Sequence, residues 1–195
     1  MQENYVGFYE YFDSINEEPA LLETDFNNDD EIFTTQDSDG NLFQIKYIKS
    51  FTAKLSQANE DIKKYYNAIK NHALTYRKAN SRISWHYDAI KVGNEPILKF
   101  AIRGKTLCIY YSLFEVDEKY KVERIESKKY EDSPFLYRIK NDRRCEYAKE
   151  LVDIAMRRLH VPKVNDSNED FSIPYEKTKD LLSKGFIKEF KKKLR

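Results

Sequence analysis

The sequence predicts an α+β fold: an antiparallel sheet of about five strands with flanking helices, in the order α-β-β-β-β-β-α. Two stretches with apolar residues at helical spacing, 59–76 and 141–159, bracket a middle stretch whose apolar period falls to two. Gly-containing turn signals punctuate that middle stretch, as antiparallel hairpins require. Fifteen Tyr and twelve Phe supply bulk for a core, while five Gly and five Pro argue against a low-complexity chain. Composition then divides the chain into an acidic leader over 1–40, an α+β domain over 41–162 and a C-terminal helical tail over 163–195.

In the leader, Tyr5, Phe8, Tyr9, Tyr11, Phe12 and Ile15 recur near helical spacing, and Pro19 limits any such helix. Asn27-Asn28-Asp29-Asp30 and Asp37-Ser38-Asp39-Gly40 are turn or loop chemistry. Two readings fit: a solvated linker, or a short aromatic-acidic helix that docks on the basic domain of its own or a neighbouring copy.

Leu42 to Ile48 alternates and predicts a short strand. Asn59-Glu60-Asp61 opens a helix, with an N-cap candidate ahead of two acids that suit the positive end of the dipole. Its buried stripe is Ile62, Tyr65/Tyr66, Ile69, Ala73 and Tyr76. A strand over Ser81–Tyr87 follows, with Ile83, Trp85 and Tyr87 on one face. After a turn at Gly93-Asn94, Leu98, Phe100 and Ile102 point one way while Lys99, Ala101 and Arg103 point the other. Arg103-Gly104-Lys105 is a tight hairpin, because Gly supplies the positive φ that such a turn demands. Leu107, Ile109, Tyr111 and Leu113 line the core face of the next strand, and Lys119–Ile125 and Leu136–Lys140 read as two more. Asn141-Asp142 caps a last core helix with the stripe Ala148, Leu151, Val152, Ala155, Met156 and Leu159. In the tail, Tyr175–Lys184 reads as a helix with Gly185 at C′. Phe186–Arg195 reads as a final Lys-rich helix with Ile187, Phe190 and Leu194 on one side. A solvated end is the favoured reading of it, ahead of a phosphate anchor or a membrane-surface segment.

The strings Ser50-Phe51-Thr52-Ala53-Lys54-Leu55, Ser81-Arg82-Ile83-Ser84-Trp85, Ile102-Arg103-Gly104-Lys105-Thr106-Leu107-Cys108 and Leu136-Tyr137-Arg138-Ile139-Lys140-Asn141-Asp142-Arg143-Arg144 carry a resemblance. They resemble an uncharacterised domain that recurs, often in several copies, in hypothetical proteins of clostridia and related Firmicutes. The tail from Pro174-Tyr175-Glu176 through Lys184-Gly185-Phe186-Ile187-Lys188 resembles that family's usual close after a domain copy. The resemblance spans about residues 42–188 and implies a bacterial α+β domain after an acidic linker, with no established activity. More distantly, the helix–sheet–helix order resembles the MmcQ/YjbR-like domains, whose topology is related to frataxin.

Charge is distributed unevenly. Residues 1–43 hold twelve Asp and Glu and no Lys or Arg, whereas the remainder holds all 34 basic residues against 21 acids. A net charge of +1 thus conceals an acidic leader and a basic body. Such a body calls for an anionic partner or for its own leader.

Catalytic chemistry finds little support. There is no G-x-S-x-G, no Gly-rich phosphate loop and no Cys with an obvious His partner. His86 and Asp88 are two apart on one expected strand face, too few ligands for a metal. Asp117 with Glu126-Ser127-Lys128 is a faint nuclease-like pattern of a kind that chance supplies in a chain one-third charged. Cys108 and Cys145 read as reduced core thiols. With no secretory signal and no apolar run near the roughly 18–20 residues that span a bilayer, a cytoplasmic location is expected. The expectation is a non-enzymatic protein with no catalytic residue, metal or cofactor.

What remains is the basic surface. Arg103 and Lys105 flank the hairpin glycine, Arg138 and Lys140 alternate on the outward face of their strand, and Arg143 and Arg144 stand in the first helical turn. Arg82 joins them. Cations at a helix N-terminus oppose its dipole unless an anion binds nearby, so these seven form a candidate phosphate-binding surface, with exposed tyrosines to stack on unpaired bases. Against this, the charges would merely solvate a sheet face and pair with Glu123, Glu126, Glu131 and Asp132. The expected partner is nucleic acid or an acidic protein surface, and no membrane.

Overall fold

The computed structural model describes residues 31–164 and 168–194. The chain groups into two compact units: Lys49–Phe186, and Met1–Ile48 with Ile187–Arg195. The aromatic stripe from Tyr5 to Ile15 and the turn at Asn27–Asp30 lie outside the described residues.

Two strands open the described chain, β1 (Glu31–Gln36) and β2 (Leu42–Lys49), paired antiparallel with Phe33 opposite Ile45. The turn between them is the expected Asp37–Gly40 segment. Asp37 Oδ1 accepts the Asn41 N–H at 2.8 Å and Gly40 takes φ 83°. Composition places residues 31–36 in the leader; the β-branched and aromatic run Ile32-Phe33-Thr34-Thr35 is the strand signal there.

The larger unit begins with a short helix that periodicity did not reveal, α1 (Phe51–Ser56), where the Ser50 hydroxyl accepts the Ala53 N–H at 3.2 Å. Asn59 then caps α2 (Glu60–Leu74), its Oδ1 accepting the Ile62 N–H at 2.9 Å. The stripe Ile62, Tyr66, Ile69 and Ala73 is buried as expected.

Four strands follow in hairpin succession: β3 (Ala79–Ile83), β4 (Asp88–Val92), β5 (Glu95–Arg103) and β6 (Thr106–Tyr111). The strand expected over Ser81–Tyr87 stops at Ile83. Ser84 turns the chain there, its N–H and hydroxyl both donating to the Tyr87 carbonyl, so β4 is an extra strand. Gly104, at φ 55°, closes the β5–β6 hairpin with Arg103 opposite Thr106.

The strand expected over Lys119–Ile125 shrinks to β7 (Glu123–Arg124). Asp117 caps a 3-10 turn over Glu118–Tyr120 instead, and burial of the Tyr120 ring holds that turn against the domain. After β8 (Phe135–Ile139), Asn141 caps α3 (Asp142–Arg158), accepting the Arg144 N–H at 2.9 Å. The sheet runs β3-β4-β5-β6-β8-β7. Leu98, Phe100, Ile102, Leu107, Ile109, Tyr111, Tyr137 and Ile139 share one face and join the buried stripes of α2 and α3 in one core. Leu151 is fully buried there, and removing such a side chain costs about 2–5 kcal/mol.

Residues 168–177 run along α1 and α2. Phe171 N–H donates to Asn67 Oδ1, and the Ser56 hydroxyl donates to the Pro174 carbonyl. α4 (Thr178–Ser183) ends at Gly185, φ 75°, with Phe186 N–H on the Leu181 carbonyl.

The final element corrects the sequence reading. Residues expected as a Lys-rich helix form β9 (Ile187–Lys193), which pairs with β2 in a second sheet ordered β1-β2-β9. Ladder bonding to β2, including Leu194 N–H to the Leu42 carbonyl at 2.8 Å, satisfies the backbone that a helix would satisfy internally. The α+β class therefore stands. Strand number and order change: six strands in one sheet and three in the other replace a single sheet of about five.

Candidate functional site

Register defines the face of the six-stranded sheet that the helices do not cover. One row crosses every strand: Arg82, Ala89, Lys99, Tyr110, Leu136 and Glu123. The next row holds Ala101, Cys108 and Arg138, and beyond it Arg103 stands opposite Thr106. Alternation thus places three of the seven candidate cations, Arg82, Arg103 and Arg138, on one outer face.

Their surroundings differ. Arg82 is exposed on the edge strand, and Lys105 and Lys140 are exposed at the hairpin and just past β8. Among the described residues these three form no ion pair. Arg103 is half-buried, and its Nε donates to the Tyr110 hydroxyl at 2.6 Å. Arg138 pairs with Glu123, and that hydrogen bond raises the guanidinium pKa further. Arg143 donates to the Tyr147 hydroxyl at 3.0 Å. Arg144 lies over the Tyr137 ring at 4.4 Å, with its buried Nε unpartnered among the described residues. These last two belong to α3 on the helical side, so the seven do not form one continuous patch by strand register. Of the four acids expected to neutralise them, Glu123 and Asp132 do engage cations.

Sequence reasoning missed the centre of this face. Lys99, only 6% exposed along its side chain, donates to Asp132 Oδ1 at 2.6 Å and to the Lys129 carbonyl at 3.3 Å. Its ammonium lies 4.7 Å from the centre of the Tyr87 ring. Tyr110 and Tyr130 stack with centroids 3.7 Å apart and planes 6° from parallel. Tyr110 and Tyr130 are buried against each other, and burial pushes both hydroxyls above the usual phenol range. The outward alternation of Lys99 was the available signal; nothing local announced that residues 128–132 would fold over it.

Other candidate groups are committed elsewhere. Asp88 is fully buried on the helix-covered face and accepts from Lys70 Nζ at 2.8 Å, Tyr66 at 2.7 Å and Ser81 at 2.7 Å. The expected pairing of His86 with Asp88 on one strand face therefore fails, because the chain turns between β3 and β4. His72 Nε2 and Tyr76 meet Asp153 Oδ1 at 2.6 Å and 2.5 Å, with Lys163 at 3.3 Å. Burial alone would raise the Asp153 pKa, but the bonds from Tyr76 and His72 bring it below the ordinary value. Asp117 is spent as a cap on Lys119 N–H. Cys108 and Cys145 are buried and not disulfide-bonded, and burial pushes the Cys145 thiol up to about 11. Among the described residues no group of three or more His, Cys, Asp or Glu is placed to hold a metal, and no helix is long and apolar enough to cross a membrane. Comparison with known proteins finds no matching family model, curated relative or solved structure, so the arrangement of residues alone informs function.

Proposed function

We propose that this chain is a non-enzymatic binding module whose basic outer sheet face engages an anionic polymer, with nucleic acid the best-fitting class. The observation that carries this reading is the division of labour across the six-stranded sheet. One face is spent on the helices, while the other carries Arg82, Arg138 and Arg103 in three successive cross-strand rows, with exposed Lys105 and Lys140 at the same end as the hairpin. Arg82, Lys105 and Lys140 would make the first phosphate contacts, having no carboxylate among the described residues to give up. Arg138 would have to exchange Glu123 for phosphate, and Arg143 and Arg144 would extend the contact past the strand end. Each phosphate contact releases counterions, so affinity for DNA or RNA should fall steeply with added salt. Absence of binding to either at about 50 mM salt would sink the proposal.

A second reading draws on the smaller sheet, where Ile32, Phe33 and Leu42 are exposed beside Lys-bearing β9. A protein-interaction role, with the acidic leader docking on its own or another copy, would suit that surface. Removal of residues 1–30 should then change oligomeric state or melting temperature. A truncated protein identical to the parent in both would count against it.

A further inference from the structure

We infer that residues 127–133 occupy the position of a single-stranded nucleic acid on the outer sheet face, and that displacing them opens a base-stacking site on Tyr110 flanked by Lys99 and Arg103. The inference rests on the nucleic-acid reading above and specifies where unpaired bases would sit.

The contacts made by this segment match those of a nucleotide, group for group. Tyr130 presents a planar ring to the Tyr110 face at 3.7 Å and 6°. Core aromatic pairs of the same unit meet differently, Tyr66 on Phe100 at 79° and Phe51 on Tyr66 at 58°. Packed rings favour edge or offset contacts, whereas a parallel stack is the geometry of a base on a side chain. Arg103 donates to the Tyr110 hydroxyl at 2.6 Å and to the Tyr130 hydroxyl at 3.3 Å, as a guanidinium bonds the edge of a stacked ring. Asp132, 44% exposed, brings an anion to the buried Lys99 ammonium at 2.6 Å. A phosphate oxygen offers that ammonium the same charge and the same acceptor geometry.

The segment is also built to leave without unravelling the sheet. It is an excursion between β7 and β8 closed at its base, where Ile125 N–H donates to the Pro134 carbonyl at 2.9 Å. Above that closure its backbone bonds are local, Tyr130 N–H to the Ser127 carbonyl and Ser133 N–H to the Tyr130 carbonyl. Its polar contacts with the sheet include the Lys99 ion pair, the Lys99 bond to the Lys129 carbonyl and the Arg103 bond to Tyr130, and a bound strand can offer acceptors in place of each. Once it lifts, Lys99, Tyr110 and Leu136 lie in one row between Arg82 and Glu123, a track that crosses the whole sheet.

The test uses the full chain and a labelled oligothymidine of about 12 nucleotides, within the site size of sheet-type single-strand binders. Asp132→Asn removes the competing charge at constant shape and should tighten binding about tenfold over the parent at low salt. Tyr130→Ala should tighten it as well; if that variant does not fold, Asp132→Asn decides. In the parent, saturating oligonucleotide should speed hydrogen exchange at the Tyr130 and Ser133 amides. Affinity unchanged or weakened in Asp132→Asn, together with unchanged or slowed exchange at those amides, overturns the inference. If the parent nevertheless binds in a salt-dependent way that Lys105→Ala and Lys140→Ala weaken, the basic-face reading survives that loss. If neither the parent nor Asp132→Asn binds, both fall together.

Discussion

Lys70 and Lys99 are both buried lysines held by a carboxylate, one on each side of the same sheet, and their carboxylates differ in access to water. Asp88, the partner of Lys70, is wholly buried and also accepts from Tyr66 and Ser81. The Phe171 ring closes over the Lys70 ammonium at 4.3 Å. Asp132, the partner of Lys99, comes from a connecting segment and is 44% exposed. A closed pair of this kind has no aqueous alternative, so breaking it strands a charge in a low-dielectric interior. In the open pair the carboxylate is already partly in water, so another anion can take its place on the ammonium at smaller cost. The same two residue types therefore make a lock on the helix side and a clasp on the outer face.

The comparison is easiest to break at the lock. Asp88→Asn leaves the Lys70 ammonium buried without its counter-charge and should cost about 3–5 kcal/mol in denaturant unfolding. A loss below about 1 kcal/mol would mean that Lys70 reaches water and that the two lysines are alike. The helical layer over the lock gives the next effect: Asn141→Ala, which orphans the Arg144 N–H, should cost about 1 kcal/mol by the same measurement. At the clasp, Asp132→Asn should change stability by less than about 1 kcal/mol while altering oligonucleotide binding. A larger loss would make it a second lock.

Acid titration sharpens the same contrast with a third, half-exposed carboxylate. Asp153 has its folded pKa lowered from the ordinary 3.8, so the stability it contributes is fully present above that value. It is lost as pH falls below 3.8 and through the folded pKa. Asp153→Asn should accordingly flatten the acid limb of a stability profile below about pH 4 and leave its shape near neutrality unchanged. An acid limb as steep as the parent's would remove Asp153 from the linkage.

Legibility in the sequence followed the range of the interaction. The caps at Asn59 and Asn141, the hairpin at Gly104 and the helix end at Gly185 are each set within a few residues, and each was read correctly. The helical stripes and the alternation of β5 and β6 were equally plain, because burial on one face imposes a period. Misreadings occurred where two structures share one pattern. Ile187, Phe190 and Leu194 suit a helical side, yet the neighbouring β2 edge made that segment a strand. Ser84 to Tyr87 continues an aromatic β-prone run, yet a side-chain bond folds it into a turn. In the candidate site, alternation alone placed Arg103 and Arg138 on the outward face, and Arg82 was only grouped with them. The engagement of Arg103 by two tyrosines and the burial of Lys99 depend on contacts 7 to 33 residues apart, which no local spacing encodes.

By itself the sequence determined the α+β class, the two core helices with their caps, the central hairpin and the alternation of β5 and β6. These follow from local backbone chemistry and from the periods at which a chain meets its own core. Tertiary structure alone decided that the chain carries two sheets, that one buried lysine is locked and the other clasped, and that the outer tyrosines face each other. Those outcomes depend on which distant groups arrive to exclude water, and desolvation, unlike periodicity, is a property of the assembled neighbourhood.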